Sequence, residues 1–260
     1  MCIDFEYVKR VGIGAACQGA AVLRSYFGKA FEVNRKGEKD LVTTADTTSE
    51  KAIIQAIRYR FPDHAIMAEE SGRTDGSAAM QWIIDPLDGT TNFAHGLGVY
   101  AVSIAFACDN EVAVGVVLNP ETGELFTAVR GKTAELNGQV IHVSETAAIS
   151  DALLVTGFPY GCRQSLPSLM NRFGKCVEAA QGIRRLGSAA LDLCYVACGR
   201  FDGFWEEQLK PWDTAAGMLI ARQAGAEITD FSGLPYSIDK KEILATNGAI
   251  HESMLAILKG

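Results

Sequence analysis

One apolar run that ends in two acids constrains this chain more than any other stretch. Trp82, Ile83 and Ile84 read as a buried strand. Asp85-Pro86-Leu87-Asp88-Gly89-Thr90-Thr91-Asn92 is the polar, turn-forming sequence that such a strand delivers at its end. Two carboxylates therefore arrive at the mouth of a core element. Pro86 fixes its own φ and disfavours helix at Asp85, so the backbone is expected to turn between the acids and bring both carboxylates and the Leu87 carbonyl to one point. Gly89, Thr90 and Thr91 then have the composition of a helix start whose free N–H groups suit a phosphate beside a metal. An ordinary Asp-Gly turn with capping threonines has the same composition, so acids elsewhere must decide.

Three other places supply them. Asp40-Leu41-Val42-Thr43-Thr44-Ala45-Asp46 reads as a short strand or extended turn opening a helix over Thr47–Phe61, stopped by Pro62, and Thr47 and Glu50 have capping-box spacing. Asp46 is then either a helix-terminal acid or a water-positioning acid at the helix mouth. Ala65-Ile66-Met67-Ala68 looks like a second buried strand ending in Glu69-Glu70-Ser71-Gly72. Glu206-Glu207-Gln208-Leu209-Lys210-Pro211-Trp212-Asp213 repeats the pattern of strand, acids, proline and helix. Asp213 is either the N-cap of that helix or an acid that closes a metal site.

Around these motifs the chain reads as a long N-terminal helix over Asp4–Gly28, then an antiparallel meander over Tyr100–Cys108, Glu111–Leu118 and Glu124–Arg130. Asn137-Gly138 marks a further turn, and near residue 144 the pattern changes to alternating helices and strands. The expected organisation is an α+β half over 1–144 carrying most metal motifs, and an α/β half over 145–260 that closes the site. In the second half, strands are expected at 152–156, 182–185, 201–205, 226–229 and 243–246. Helices fall at 166–181, 188–198 and 214–223, with a closing helix from 249.

The 260 residues carry a net charge of −7, which argues against broad binding to nucleic acid or an anionic membrane, and 48% hydrophobic content suffices for a substantial core. No signal-peptide core or membrane span is visible, so a cytoplasmic enzyme is expected. The seven cysteines read as small buried thiols. Cys194 and Arg200 fit C-x5-R, but the residues between them read as an apolar helix rather than a phosphate loop. Gly12-Ile13-Gly14 lacks the strand and third glycine of a dinucleotide site. No P-loop and no nucleophile elbow are present, and the acids are Asp-x-x-Asp rather than the Asp-x-Asp of a covalent aspartyl phosphatase. The four histidines are scattered, and His95 is a loop residue. Asp46, Glu69, Asp85, Asp88 and Asp213 form an all-oxygen set suited to Mg²⁺ or Mn²⁺, which points to metal-assisted hydrolysis of a phosphate ester.

In this order the four motifs resemble the inositol monophosphatase family of magnesium-dependent, lithium-sensitive sugar phosphatases, along nearly the whole chain. The resemblance implies a layered α-β-α-β-α sandwich of the inositol monophosphatase and fructose-1,6-bisphosphatase type, and a homodimer. It implies that Glu69, Asp85 and the Leu87 carbonyl hold one Mg²⁺, that Asp85, Asp88 and Asp213 hold a second, and that a third, weaker ion shares Glu69. Asp46 and Thr90 would orient the attacking water, while Asp88, Gly89, Thr90 and Thr91 meet the phosphate. Ser188, Ala189, Glu206 and Asp213 would meet the leaving group, with Glu206 accepting hydrogen bonds from its hydroxyls. Inhibition by Li⁺ and Ca²⁺ is implied too. Lys210 departs from the histidine of animal members and is similar to bacterial ones.

The expected substrate is a small polyol phosphate, first of all inositol 1-phosphate. Fructose 1,6-bisphosphate, with Arg163, Arg184 or Arg185 for its second phosphate, and histidinol phosphate are rivals. The nucleotide branch ranks lowest because Thr91-Asn92 stands where it usually carries Lys-Glu. A regulatory dimer binding protein or RNA is the alternative outside catalysis, and the presence of all five carboxylates speaks against an idle enzyme.

Overall fold

A computed structural model describes residues 3–29, 33–35, 41–159 and 165–259. Cys2, Asp40, Cys162 and Arg163 lie outside the described residues. The helices are α1 (Phe5–Tyr26), α2 (Thr44–Arg60), α3 (Thr90–Ala94), α4 (Leu166–Ala179), α5 (Ala189–Ala197), α6 (Pro211–Gln223) and α7 (His251–Lys259). The early strands are β1 (Val33–Arg35), β2 (Leu41–Thr43), β3 (His64–Ala68), β4 (Gly72–Thr74), β5 (Ser77–Asp88), β6 (Ala101–Cys108) and β7 (Glu111–Leu118). After them come β8 (Leu125–Val129), β9 (Glu135–Leu136), β10 (Gln139–Val140), β11 (Leu153–Thr156), β12 (Gly182–Arg184), β13 (Gly203–Glu207), β14 (Glu227–Thr229) and β15 (Glu242–Thr246).

The strands form an antiparallel pair β1-β2, an eight-stranded sheet ordered β10-β9-β8-β7-β6-β5-β3-β4 and a five-stranded sheet ordered β12-β11-β13-β15-β14. Successive strand residues face opposite ways, and here each face finds a different core. Trp82 and Ile84 of β5 pack with Val8 and Leu23 of α1 and Ile53 and Ile57 of α2, whereas Ile83 packs with Leu193 of α5 and Leu219 of α6. Val155, Phe204 and Ile243 of the second sheet join that same middle core. Their neighbours Leu154, Trp205 and Leu244 turn instead to Cys176 of α4 and Met254 and Leu258 of α7. The layers are therefore α1/α2, sheet, α5/α6, sheet, α4/α7: the expected α-β-α-β-α sandwich. Burial on both faces explains why β5 reads as an unbroken apolar run, and each fully buried side chain of this size contributes about 1.5–3 kcal/mol.

Small residues set the layer spacing. A Cβ on Gly115 of β7 would lie 2.7 Å from the Ala216 carbonyl oxygen of α6, and one on Gly217 would lie 2.8 Å from Leu193 of α5. Gly19 likewise lets α1 meet Ile53 of α2, so this glycine acts as a contact point within the helix rather than a breaker. Asp4 starts α1 by accepting the N–H groups of Glu6 and Tyr7 at 3.0 and 3.2 Å.

Three local expectations need correction. The strand does not stop at Ile84 but runs through Asp88, with a register shift between Asp85 and Asp88 in its pairing with β6. The capping box of α2 is Thr43 with Asp46, so the helix begins at Thr44 rather than Thr47. Glu50 is buried and accepts the Glu70 N–H at 2.8 Å. Finally, α6 starts at Pro211, which places Asp213 in the first turn and not at the N-cap. Among the described residues no helix is long and apolar enough to cross a membrane.

Candidate active site

Alternation along β5 puts Asp85 on the same face as Ile83, toward the middle layer. Three residues on, a regular strand would point Asp88 the opposite way. The irregularity at Pro86-Leu87 absorbs the odd step, so Leu87 is buried with the α1/α2 core and Asp88 still reaches the cleft. Pro86 thus acts by kinking a strand that continues rather than by ending it. The Leu87 N–H donates to Asp85 Oδ1 at 2.9 Å, which fixes that carboxylate. Gly89 follows with φ of 98°, and a Cβ there would lie 3.0 Å from the Val99 carbonyl oxygen, so both conformation and space require glycine.

Behind this corner stands Asp46, fully buried. Its Oδ2 accepts the N–H of Thr43 at 2.8 Å and the Thr43 hydroxyl, and its Oδ1 lies 3.2 Å from the Thr90 hydroxyl. That hydroxyl also lies 3.1 Å from the Leu87 carbonyl oxygen, so one proton has two acceptors. The structure therefore makes Asp46 a capping acid and a partner of Thr90 at once. Glu69 follows β3, and its N–H donates to the Ile84 carbonyl at 3.1 Å, which keeps it level with the end of β5.

The second half meets the first at Asp88. Its Oδ2 accepts the Ser188 hydroxyl at 2.6 Å and the Ala190 N–H at 2.8 Å, so the start of α5 is tied to the end of β5. Asn92 adds one further tie, donating to the carbonyl of Leu186 at 2.8 Å while also holding that of Val99 in its own half at 2.7 Å. Asp213 is held through Oδ2 by the Lys210 N–H at 2.7 Å. A cavity of about 700 Å³ lies between these elements, lined by Glu69, Asp88, Gly89, Ser188, Ala189, Glu206 and Asp213 together with Gly157, Arg185 and Lys210. Asp46, Asp85, Leu87, Thr90 and Thr91 are not part of its lining. A groove of similar size between α1 and α2 contains none of the predicted residues.

The acids raise one another's proton affinity. Burial pushes Asp85 well above the ordinary carboxylate range, and the charges of Glu69, Asp88 and Asp213 add to it. Asp88 is pushed up to about 6 by burial, against the hydrogen bonds from Ser188 and the α5 amides. Asp213 is raised well above its ordinary value by burial and then by Asp88. Glu206 is pushed up to about 8 by burial, then by Asp213 and Asp88, with Arg185 opposing. Burial also raises Asp46, against its bonds from Thr43 and Thr90. Positive charge is what this corner is short of.

Among the described residues no three His, Cys, Asp or Glu side chains already surround one point as a metal shell. Asp85, Asp88 and Asp213, each anchored by one oxygen to a nearby N–H, repel one another, and a cation among them would relieve that repulsion. Oxygen-only donors and unbalanced negative charge fit a hard divalent ion.

Sequence reasoning missed Asn92, whose role depends on Leu186, distant in the chain, and Asp192, buried in α5 with neither carboxylate oxygen bonded among the described residues. It correctly set aside the C-x5-R spacing. Cys194 lies inside α5 with its thiol raised well above its usual range by burial, and Arg200 pairs with Glu124. The described cysteines at 17, 108, 176, 194 and 198 are free thiols.

The chain matches the sequence model of the inositol monophosphatase family over residues 4–260. It is 44% identical over 253 residues to an inositol-1-monophosphatase from Synechocystis sp., covering 96% of this chain and 88% of that protein. It is also 44% identical over 231 residues to the Nus factor SuhB of Escherichia coli (strain K12), covering 88% and 86%. The solved inositol monophosphatase of Anabaena (Nostoc) sp. superimposes with a TM-score of 0.90 at 39% identity, covering 99% of this chain and 97% of that one.

Proposed function

The chain belongs to the inositol monophosphatase family of phosphoric monoester hydrolases, and from that premise we propose that it hydrolyses a small polyol phosphate monoester, inositol 1-phosphate first of all, to myo-inositol and phosphate. The observation that carries this reading is the placing of Glu69, Asp88 and Asp213, acids far apart in sequence, on the wall of one cavity. The identity to a protein named inositol-1-monophosphatase supports the substrate.

In this reading Glu69, Asp85, Asp88, Asp213 and the Leu87 carbonyl hold Mg²⁺ ions, Mn²⁺ being the alternative. Such ions supply charge neutralisation at the phosphate, an acidified water and stabilisation of the leaving oxygen. Asp46 and Thr90 orient the attacking water: with Asp46 buried and itself fixed by Thr43, the Thr90 hydroxyl is held in one place. Asp88, Gly89, Thr90 and Thr91 form the phosphate end, and Ser188, Ala189, Glu206 and Asp213 the leaving-group end. Residues 1–144 then provide most of the charge chemistry, and 145–260 recognise the alcohol. A carboxylate at the alcohol end accepts hydrogen bonds from hydroxyls and repels a second phosphate, which favours a polyol monophosphate over a bisphosphate. Of the arginines considered for a second phosphate, Arg184 lies exposed on edge strand β12 and Arg185 lines the cavity, while Arg163 lies outside the described residues.

Leu166, Met170 and Val177 leave an apolar stripe exposed along α4, which supports a homodimer. The identity to a Nus factor favours one further reading, a regulatory binding role.

Turnover of inositol 1-phosphate, fructose 1,6-bisphosphate and histidinol phosphate with Mg²⁺ tests the proposal. The expected result is the highest kcat/KM on inositol 1-phosphate, abolished by chelation and inhibited by Li⁺ and Ca²⁺. Activity on none of the three would overturn the catalytic reading in favour of the regulatory one.

A further inference from the structure

Gly157 follows β11 and lies directly against the carboxylate of Glu206. A Cβ at 157 would stand 2.2 Å from Oε2, 2.3 Å from Oε1 and 2.4 Å from Cδ of Glu206, all far inside contact distance. Gly157 does not have a positive φ, so its backbone conformation is open to any L-residue. Glycine is therefore needed at 157 for space and not for conformation. The two strands cannot part to make room. Thr156 and Trp205 are direct partners in the parallel pairing of β11 with β13, and the Thr156 hydroxyl donates to the Trp205 carbonyl at 2.6 Å. With the backbones fixed at that level, a side chain at 157 has to displace the acid. Gly157 and Glu206 both line the same cavity, and Glu206 is only 8% exposed, so the open direction for its carboxylate is forward into that cavity.

We propose that Gly157 is a specificity-determining residue: by leaving a bare stretch of main chain for the Glu206 carboxylate to lie on, it sets the depth of the alcohol-binding end and the placing of the acceptor that meets substrate hydroxyls. This rests on the assignment of Glu206 to the leaving-group end. Gly157 acts through Glu206 and has no part at the phosphate, so its effect belongs to substrates that offer hydroxyls.

Steady-state kinetics with two substrates separates the possibilities. Inositol 1-phosphate carries hydroxyls on its leaving group, and phenyl phosphate carries none. In Gly157→Ala, kcat/KM for inositol 1-phosphate is expected to fall about tenfold or more, mainly through KM, with a change below about twofold for phenyl phosphate. Glu206→Ala is expected to lower the same ratio, and adding Gly157→Ala to it should change nothing further, because no carboxylate is left to displace. In a Glu206→Asp background, whose acid is one methylene shorter, the Gly157→Ala penalty should shrink. If Gly157→Ala keeps the wild-type ratio while Glu206→Ala loses it, the proposal is overturned and the role of Glu206 stands. If Glu206→Ala keeps the ratio, the assignment of Glu206 fails first and this proposal with it. Equal losses on both substrates, or loss of the folded circular dichroism spectrum in Gly157→Ala, would make Gly157 a packing residue and overturn the proposal too.

Discussion

Asp202 precedes β13 and Glu206 lies near its other end, so one short strand carries a buried acid at either side. Asp202 is 6% exposed and accepts the Leu153 N–H at 2.6 Å and the Ser144 hydroxyl, while Asn247 donates to that same Ser144 at 3.0 Å. Glu206 is buried to a similar degree, takes no hydrogen bond among the described residues and is pushed up to about 8. The difference separates structure from function. An acid whose lone pairs are used by the protein helps to hold two strands and a loop together. An acid buried beside other acids, with its acceptors unspent, costs the fold and is kept for a ligand that completes it. The division follows strand direction: β11 and β13 run parallel, and the unspent acid stands at the carboxyl end of β13, the side on which open α/β sheets place ligands.

The strongest test of that contrast removes charge from an acid of the cleft. Asp88→Asn keeps the shape that Ser188 and Ala190 hold, and it is expected to lower kcat about a thousandfold at saturating Mg²⁺ with no loss of melting temperature. Near-normal rates would remove Asp88 from the proposed ligand set. The opposite change belongs at the other end of the strand. Asp202→Ala is expected to cost about 3 kcal/mol in urea unfolding, because the Leu153 N–H and the Ser144 hydroxyl lose a charged acceptor. Its kcat and KM should stay within about twofold of wild type.

pH distinguishes the two kinds of burial in the metal-free protein. Glu206 has a folded pKa of about 8 against an ordinary 4.5, so the folded state holds a proton that the unfolded chain releases. The stability tied to that proton is present below 4.5 and is lost as pH rises toward 8. His64 and His251 work in the opposite sense, since burial lowers both below 6.5 and they are neutral above it in either state. From about pH 7.5 to 8 the histidines are therefore nearly silent, and urea midpoints in the presence of chelator should fall with a slope of up to about 1.4 kcal/mol per pH unit for each such acid. Glu206→Gln should reduce that slope, and saturating Mg²⁺ should remove it. A flat profile in chelator would mean that the cleft acids find compensation within the chain.

How much of this was legible beforehand follows from the kind of physics involved. The buried strand was, because Trp82, Ile83 and Ile84 on a strand covered on both faces give a signal that depends only on burial, whereas the layered sandwich came from the family resemblance. The site acids were visible as residue types at strand and helix ends, and the family resemblance supplied their grouping. What local sequence did not carry was register. An irregularity at Pro86 is worth one flip of facing, and it turns Asp-x-x-Asp from opposed acids into neighbours. Capping was misplaced for a related reason: Thr43 and Thr47 present the same chemistry to a helix start, and the strand ending at Thr43 decided between them. Gly157 was invisible, since its importance lies in an atom it lacks and a partner 49 residues away.

Asp192 tests the contrast at its weakest point, and its effect should be the smallest. It lies inside α5, 1% exposed, with neither oxygen bonded among the described residues, and is raised well above the ordinary range by burial and then by Glu206 and Asp88, while Arg185 opposes. By its unspent acceptors it belongs with Glu206, yet it does not line the cavity. A neutral acid in that place is nearly the same object as an amide, so Asp192→Asn should leave kcat/KM within about twofold and move stability by no more than about 1 kcal/mol. Asp192→Leu, which removes the unbonded polar atoms altogether, should raise the urea midpoint by about 1 kcal/mol equivalent, since an unsatisfied buried group is a cost that an apolar one does not carry. A gain in stability joined to a tenfold loss on inositol 1-phosphate would place Asp192 on the functional side instead. The rule would then be sharper than exposure to the cavity: unspent acceptors alone would mark the residues that the fold sustains for its substrate.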